Sequence, residues 1–97
     1  MKKLFAVIRS RGAAWQGSHS LEGQQDWDAH ASFMNALVVE GFVVLGGPLE
    51  GTSDVLLIVR AQTSDEIVDR LSADPWAAKD LLRVSRITLW NVRLGSL

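Results

Sequence analysis

Two short runs near the middle of the chain, Phe42–Leu45 and Val55–Val59, contain only apolar residues. A strand points successive side chains to opposite faces of its sheet, so each run is apolar on both faces. The intervening Gly47–Ser53 is typical of a turn, which predicts a hairpin with strands over Phe42–Gly46 and Val55–Arg60. An antiparallel sheet with one face in water would alternate apolar and polar residues. Both faces of this sheet therefore require cover.

The first part of the chain predicts one strand, one loop and one helix. Lys3–Ser10 is mostly apolar and predicts a strand, whereas the glycines and serines of Arg11–Ser20 are typical of a loop. A helix is predicted over Gln24–Glu40, because apolar residues and one histidine recur there with helical spacing. These residues are Trp27, His30, Phe33, Met34, Leu37 and Val38. Gly41 stands where glycine commonly terminates a helix.

The last third of the chain predicts a second helix and a final strand. Thr63-Ser64-Asp65-Glu66 matches a capping box, so a helix should begin there. It should end near Asp74-Pro75, because the residue before a proline avoids helical backbone angles. A short helical turn is predicted over Trp76–Leu82 and a strand over Val84–Leu94.

The element order is β-α-β-β-α-β, which predicts an α+β, ferredoxin-like fold with a four-stranded antiparallel sheet. The 97 residues suit a single domain over 1–97. Two helices cover one face of such a sheet, and no further element is left for the other. We therefore expect a homodimer packed through the open sheet face, which also accounts for an apolar content of 47%.

Composition argues against several function classes. Ten Lys and Arg residues against eleven Asp and Glu leave a net charge of −1, so no basic footprint for nucleic acid is expected. The apolar run near the start, Leu4–Ile8, is shorter than the about 7–15 residues of a signal peptide core. No run approaches the about 20 apolar residues of a membrane span. We expect a cytoplasmic protein without membrane association.

Metal and thiol chemistry are not expected either. The chain contains no cysteine, which excludes disulfides and thiolate ligands. Its histidines are His19 and His30, so a metal site would need carboxylates. Asp26 and Asp28 precede His30 on the predicted helix, but residues two apart do not share a helix face. No metal and no cofactor are predicted.

His30 and Asp74 are the residues most suited to acid/base chemistry. His30 lies on the apolar stripe of the first helix, where an imidazole can exchange a proton near neutral pH. The alternative is a core histidine with one satisfied hydrogen bond. Asp74 either forms the turn that Asp-Pro often forms or orients His30. Because 44 residues separate them, spacing alone does not show that they meet.

Three of the four tryptophans and one arginine are candidates for ligand contact. Trp15, Trp27 and Trp76 could wall an aromatic pocket, or they could pack at a dimer interface, where tryptophan is enriched. Arg9 could hold the anionic group of a substrate or simply be solvated. Trp90 lies on the predicted last strand, and His19 is expected to be a solvated loop residue.

Together, the ordered motifs resemble the YciI-like (YCII-related) proteins. They are the helix histidine, Phe33-x-x-Ala36-Leu37 with Gly41, Gly46-Gly47-Pro48-Leu49, Asp74-Pro75-Trp76 and a last strand with Trp90. The resemblance covers nearly the whole chain and implies a ferredoxin-like fold that forms dimeric α+β barrels. It also implies a histidine–aspartate active site, at the matching positions His30 and Asp74.

The resemblance implies a site more firmly than a substrate. Some relatives are associated with dehydrochlorination of a chlorinated hydroxyquinol, a lyase-type reaction, and dimeric α+β barrels include cofactor-free oxygenases and lactone isomerases. One hypothesis is therefore a small cofactor-independent enzyme acting on a cyclic or aromatic molecule through His30 and Asp74. The alternatives are a non-catalytic small-molecule-binding module with the same pocket and an interaction domain with a vestigial site.

Overall fold

The computed structural model describes residues 1–96, so Leu97 lies outside the described residues. Its strands are β1 (Lys3–Arg11), β2 (Val43–Pro48), β3 (Asp54–Ala61) and β4 (Leu82–Leu89). Its helices are α1 (Trp27–Val39), α2 (Ser64–Leu71) and α3 (Pro75–Ala78). All strand pairs are antiparallel, in the order β2-β3-β1-β4. The predicted α+β, ferredoxin-like fold is confirmed.

The core lies between the sheet and the helices. Alternate residues of β1 are buried, and Val7 pairs with Leu57 of β3 and Ile87 of β4. Leu37 from α1 and Ile67 from α2 pack into the same cluster. Burial of each such side chain stabilises the fold by about 1.5–3 kcal/mol. The next residue along this inward row of β1 is Arg9, so its charged side chain lies on the helix-covered side of the sheet.

The opposite face of the sheet is apolar at its centre. Ala6 pairs with Ile58, and Ile8 pairs with Leu56, so these four side chains lie on the face opposite the inward row. Leu45 of β2 pairs with Ile58 of β3 and is 55% exposed. The described helices pack on the inward row instead. The two-sided apolar character expected of the hairpin strands is present, and the second copy over this face stays a prediction.

Helix α1 begins at Trp27, three residues later than predicted. Asp26, its N-cap, has φ 60° in the left-handed region, which cannot continue a helix. The predicted start, Gln24, belongs to the preceding loop, where its side chain bonds both the N–H and the carbonyl of Gln16. The predicted end is confirmed: Gly41 has φ 82°, and the Phe42 N–H returns to the Leu37 carbonyl.

The strand boundaries differ from prediction at both edges of the sheet. Strand β4 spans Leu82–Leu89 rather than Val84–Leu94. The ladder with β1 ends at Leu89, opposite Phe5, and beyond it the Trp90 N–H still reaches the Leu4 carbonyl. Strand β2 continues to Pro48, which an edge strand tolerates.

The second helix begins as its sequence motif predicts. Thr63 Oγ1 accepts from the Glu66 N–H at 3.2 Å. The helix ends at Leu71, before the predicted Asp74-Pro75, and the predicted short turn is helix α3. None of the helices in residues 1–96 has the length and apolarity that a bilayer crossing requires.

Candidate active site

Asp74 stands at the start of α3 and is fully buried. Its Oδ1 accepts from the Trp76 N–H at 2.9 Å, which is the N-cap bond expected before Pro75 at the first helical position. Its Oδ2 accepts from Nη1 of Arg9 at 2.8 Å. The turn interpretation of Asp74 therefore holds, and the same carboxylate also has partners outside its turn.

His30 provides the second partner. Its Nδ1 lies 3.0 Å from Oδ1 and 2.9 Å from Oδ2 of Asp74. Because an ionised carboxylate only accepts hydrogen bonds, the proton in this contact belongs on Nδ1 of the ring. In the neutral ring Nε2 is then left as an acceptor. The side chain is 12% exposed, so His30 keeps limited access to its surroundings.

The contacts of Asp74 keep it ionised. Burial by itself raises the pKa of Asp74, but the hydrogen bonds from His30, the Trp76 N–H and Arg9, with the charge of Arg9, outweigh it. The pKa therefore lies below the ordinary value of 3.8. Asp74 is a carboxylate near neutral pH, which suits it to orienting a neighbour rather than donating a proton.

Trp76 holds the plane of the His30 ring. The two rings stack with centroids 3.8 Å apart and planes 3° from parallel. The indole is itself fixed, because its Nε1 donates to the Gln25 carbonyl at 2.6 Å and it is fully buried. Trp15 meets Trp76 edge-on at 5.6 Å, and Trp27 lies 5.8 Å from it. The three tryptophans form one aromatic cluster around the imidazole.

A cavity of about 300 Å³ adjoins this cluster. Its lining includes five of the six site residues named from the sequence, namely Arg9, Trp15, Trp27, His30 and Trp76. Asp74 is the exception: it lies behind His30 and Arg9 and does not line the cavity. Trp90 and His19 are exposed and lie elsewhere. Since His30 Nδ1 is committed to Asp74, Nε2 is the ring nitrogen left for a ligand.

The sequence reasoning missed how Arg9 and Met34 contribute. Arg9 was named as a contact for an anion, but it is also the buried ion-pair partner of Asp74. The sequence contains a signal for the burial of Arg9, because period-two alternation in β1 places it on the same side as Phe5 and Val7. Met34 also borders the cavity, with Sδ 3.9 Å from Arg9 Nη1. The sequence analysis places Met34 on the apolar stripe of the helix but gives it no role at the site.

No metal centre is assembled from the described residues. Within residues 1–96, no three His, Cys, Asp or Glu side chains converge as a metal ion would need. Asp26, one of the carboxylates considered for such a site, forms an ion pair with Lys79. The expected independence of metals and cofactors stays a prediction.

Comparison with known proteins supports the fold. No protein-family model matches the chain, and no curated protein sequence is similar to it. One solved structure superposes well, the 5-chloro-2-hydroxyhydroquinone dehydrochlorinase TftG from Burkholderia phenoliruptrix AC1100, in complex with 2,5-dihydroxybenzoquinone. The match has a TM-score of 0.64 at 21% identity and covers 95% of each chain. At this identity the likeness shows a shared fold.

Proposed function

We propose that this chain is a small, cofactor-independent enzyme of the YciI-like type, performing lyase- or isomerase-type acid/base chemistry on a small cyclic or aromatic molecule. One observation carries the proposal: His30 borders an aromatic-walled cavity while its Nδ1 is bound to a buried carboxylate. The motif resemblance and the fold shared with a dehydrochlorinase support it.

His30 is the catalytic residue of this proposal and Asp74 is its positioning residue. Nε2 takes a proton from a substrate carbon or hydroxyl, and the freed electron pair forms a new double bond. In a lyase-type reaction the neighbouring leaving group departs with its own bonding pair. The Asp74 carboxylate offsets the charge of the resulting imidazolium, and the stacked Trp76 face adds a cation–π contribution. The proton then passes from Nε2 to solvent or to the product.

The test is a screen of cyclic and aromatic metabolites, including chlorinated hydroxyquinols, followed by thermal shift and by mass analysis of the recovered compound. A compound that stabilises the protein and is recovered altered supports catalysis. A compound that is bound and recovered unchanged favours a non-catalytic binding module, which the same three-tryptophan cavity would also suit. If no compound stabilises the protein and none is altered, the result would count against both the enzyme and the binding module.

A second copy of the chain is the proposed cover for the open sheet face. Ile58 at its centre is already buried within the chain, whereas Leu45 is 55% exposed and Leu56 is partly exposed, and burying these two against their symmetry mates would continue the core across the sheet. This homodimer also fits the resemblance to dimeric α+β barrels.

Leu45→Lys is expected to weaken the dimer by about a hundredfold, because each copy would bring an unpaired charge into the interface. Sedimentation velocity over a dilution series measures the change. Val68→Lys is the matched control, since Val68 is 50% exposed on α2, close to the 55% of Leu45. A monomeric wild-type protein, or equal effects of the two variants, would contradict the proposed interface.

A further inference from the structure

Arg9 is buried beyond what its ion pair requires. It is 1% exposed, and Nη1 donates to Asp74 Oδ2 at 2.8 Å. Its other two nitrogens, Nε and Nη2, are also buried and have no acceptor among the described residues. Buried donors are nearly always satisfied in folded proteins, because an unmet donor retains the whole cost of its desolvation. The absence of acceptors for these two nitrogens in the described part of the chain therefore suggests that a ligand supplies them.

The two free donors have a defined geometry. Nε–H and one Nη2–H leave the same edge of the planar guanidinium side by side, as a fork. Such a fork matches two oxygen atoms that lie next to each other and share negative charge. A single oxygen can accept from both donors only with bent hydrogen bonds, whereas two neighbouring oxygens give each donor a straighter one. Arg9 borders the same cavity as His30 and the tryptophans, so the fork belongs to the wall of the candidate site.

We propose that Arg9 selects ligands carrying two adjacent, negatively charged oxygens on a flat ring. Either a carboxylate or a pair of neighbouring ring oxygens, as in an ionised hydroxyquinone, supplies this chemistry. The inference rests on the proposed function for the location of the ligand and goes beyond it by naming the substrate class. Asp74 neutralises the charge of Arg9 in the free protein, and the fork is left to donate to the ligand oxygens.

Met34 is the side chain suited to admit the ligand. It borders the cavity and contacts the guanidinium, with Sδ 3.9 Å from Nη1. Methionine is flexible and repacks at low cost, so it can move aside where a branched residue would resist. The ligand oxygens can then approach the guanidinium from the cavity side, where Met34 now contacts Nη1.

Binding calorimetry with four ring compounds tests the proposal. Benzoate and 2,5-dihydroxybenzoquinone each carry two adjacent oxygens, whereas phenol carries one and hydroquinone carries two on opposite sides of the ring. We expect at least one of the first two to bind about tenfold or more tightly than both others. Whichever binds more tightly identifies the source of the oxygen pair. Equal affinities for all four compounds would overturn the proposal.

Arg9→Lys separates the fork from the charge. Lysine keeps a cation beside Asp74 but has no paired donors, so the preference should fall by about tenfold. Arg70→Lys is the control, because Arg70 pairs with exposed Glu40 away from the cavity. An Arg9→Lys protein that keeps the wild-type preference would show that Arg9 is only structural.

Two further measurements keep the outcome independent of folding and of catalysis. If Arg9→Lys does not fold, the Nε–H resonance of Arg9 in the wild-type protein decides: the preferred ligand should shift it and leave that of Arg70 in place. An unshifted Arg9 resonance would refute the proposal. His30→Asn should retain the ligand preference even though turnover is lost, so failure of the proposed reaction is distinguishable from failure of the fork.

Discussion

His30→Asn should lower kcat by about a hundredfold to ten-thousandfold, the range typical of losing a general acid or base. Asparagine can place its amide N–H near the position of Nδ1, so the buried Asp74 carboxylate keeps a partner. It has no group at the position of Nε2, where the proposed proton transfer occurs. Melting temperature should therefore change little while turnover collapses. Steady-state kinetics on a substrate found by the screen, with calorimetric melting, measures both effects.

His19→Asn is the matched control for that substitution. His19 lies exposed in the loop before α1 and does not line the cavity. The His19→Asn substitution should leave both kcat and melting temperature unchanged. If His30→Asn instead unfolds the protein, or leaves kcat at the wild-type level, His30 is a core residue and the catalytic assignment is wrong.

Asp74→Asn should cost about 3–5 kcal/mol of unfolding free energy, the range for removing one member of a buried ion pair. Arg9 is 1% exposed and would lose its charge partner, while His30 would lose an ionised acceptor. Asparagine preserves the volume and can still accept from the Trp76 N–H, so the effect reports the charge rather than the N-cap. Urea denaturation at neutral pH measures it.

The pH dependence of that loss has a definite sign. The pKa of Asp74 is lower in the folded chain than its ordinary value of 3.8, so its carboxylate stabilises the fold fully above about that value. The contribution is lost as pH falls through the lower, folded pKa. The difference in unfolding free energy between wild type and Asp74→Asn should thus shrink as pH falls below about 4. The exposed Asp80–Arg83 pair cancels in this difference.

Asp69→Asn is the control for Asp74. Asp69 is exposed on α2, so its substitution should change the unfolding free energy by less than about 0.5 kcal/mol at any pH. A similar loss in both variants, or a difference between wild type and Asp74→Asn that grows as pH falls below about 4, would contradict the role assigned to the buried carboxylate.

The local elements were predictable where short-range chemistry decides them. The capping box at Thr63 and the glycine stop at Gly41 are confirmed, because each depends on a few neighbouring backbone groups. The short turn predicted over Trp76–Leu82 is present with other bounds, as helix α3 over Pro75–Ala78. The end of β4 at Leu89 is not predictable in this way, because it is set by pairing with a strand distant in sequence, and the last pair is Leu89 with Phe5 of β1. The late start of α1 likewise follows from the loop contacts of Gln24.

For the candidate site, too, the residue types were predictable from the sequence, whereas their contacts were not. His30 and Asp74 stood out by residue type and motif, and their 2.9 Å contact joins elements that the sequence could not bring together. Arg9 was named as a contact for an anion, but its burial and its ion pair with Asp74 emerge only when α3 packs beside β1 and α1. The sequence leaves open whether Trp15, Trp27 and Trp76 wall a pocket or pack at a dimer interface, and the structure places all three in the wall of the cavity.

By itself, the sequence determined the element order, the sheet with two apolar faces and the short set of side chains capable of proton chemistry. These follow from periodicity, capping and composition, which act over a few residues. Only the tertiary structure decided that Asp74 serves at once as helix cap, ion-pair partner and histidine acceptor, and that Arg9 retains a free fork of donors. Such contacts depend on where distant segments meet, and that is set by packing of the whole chain.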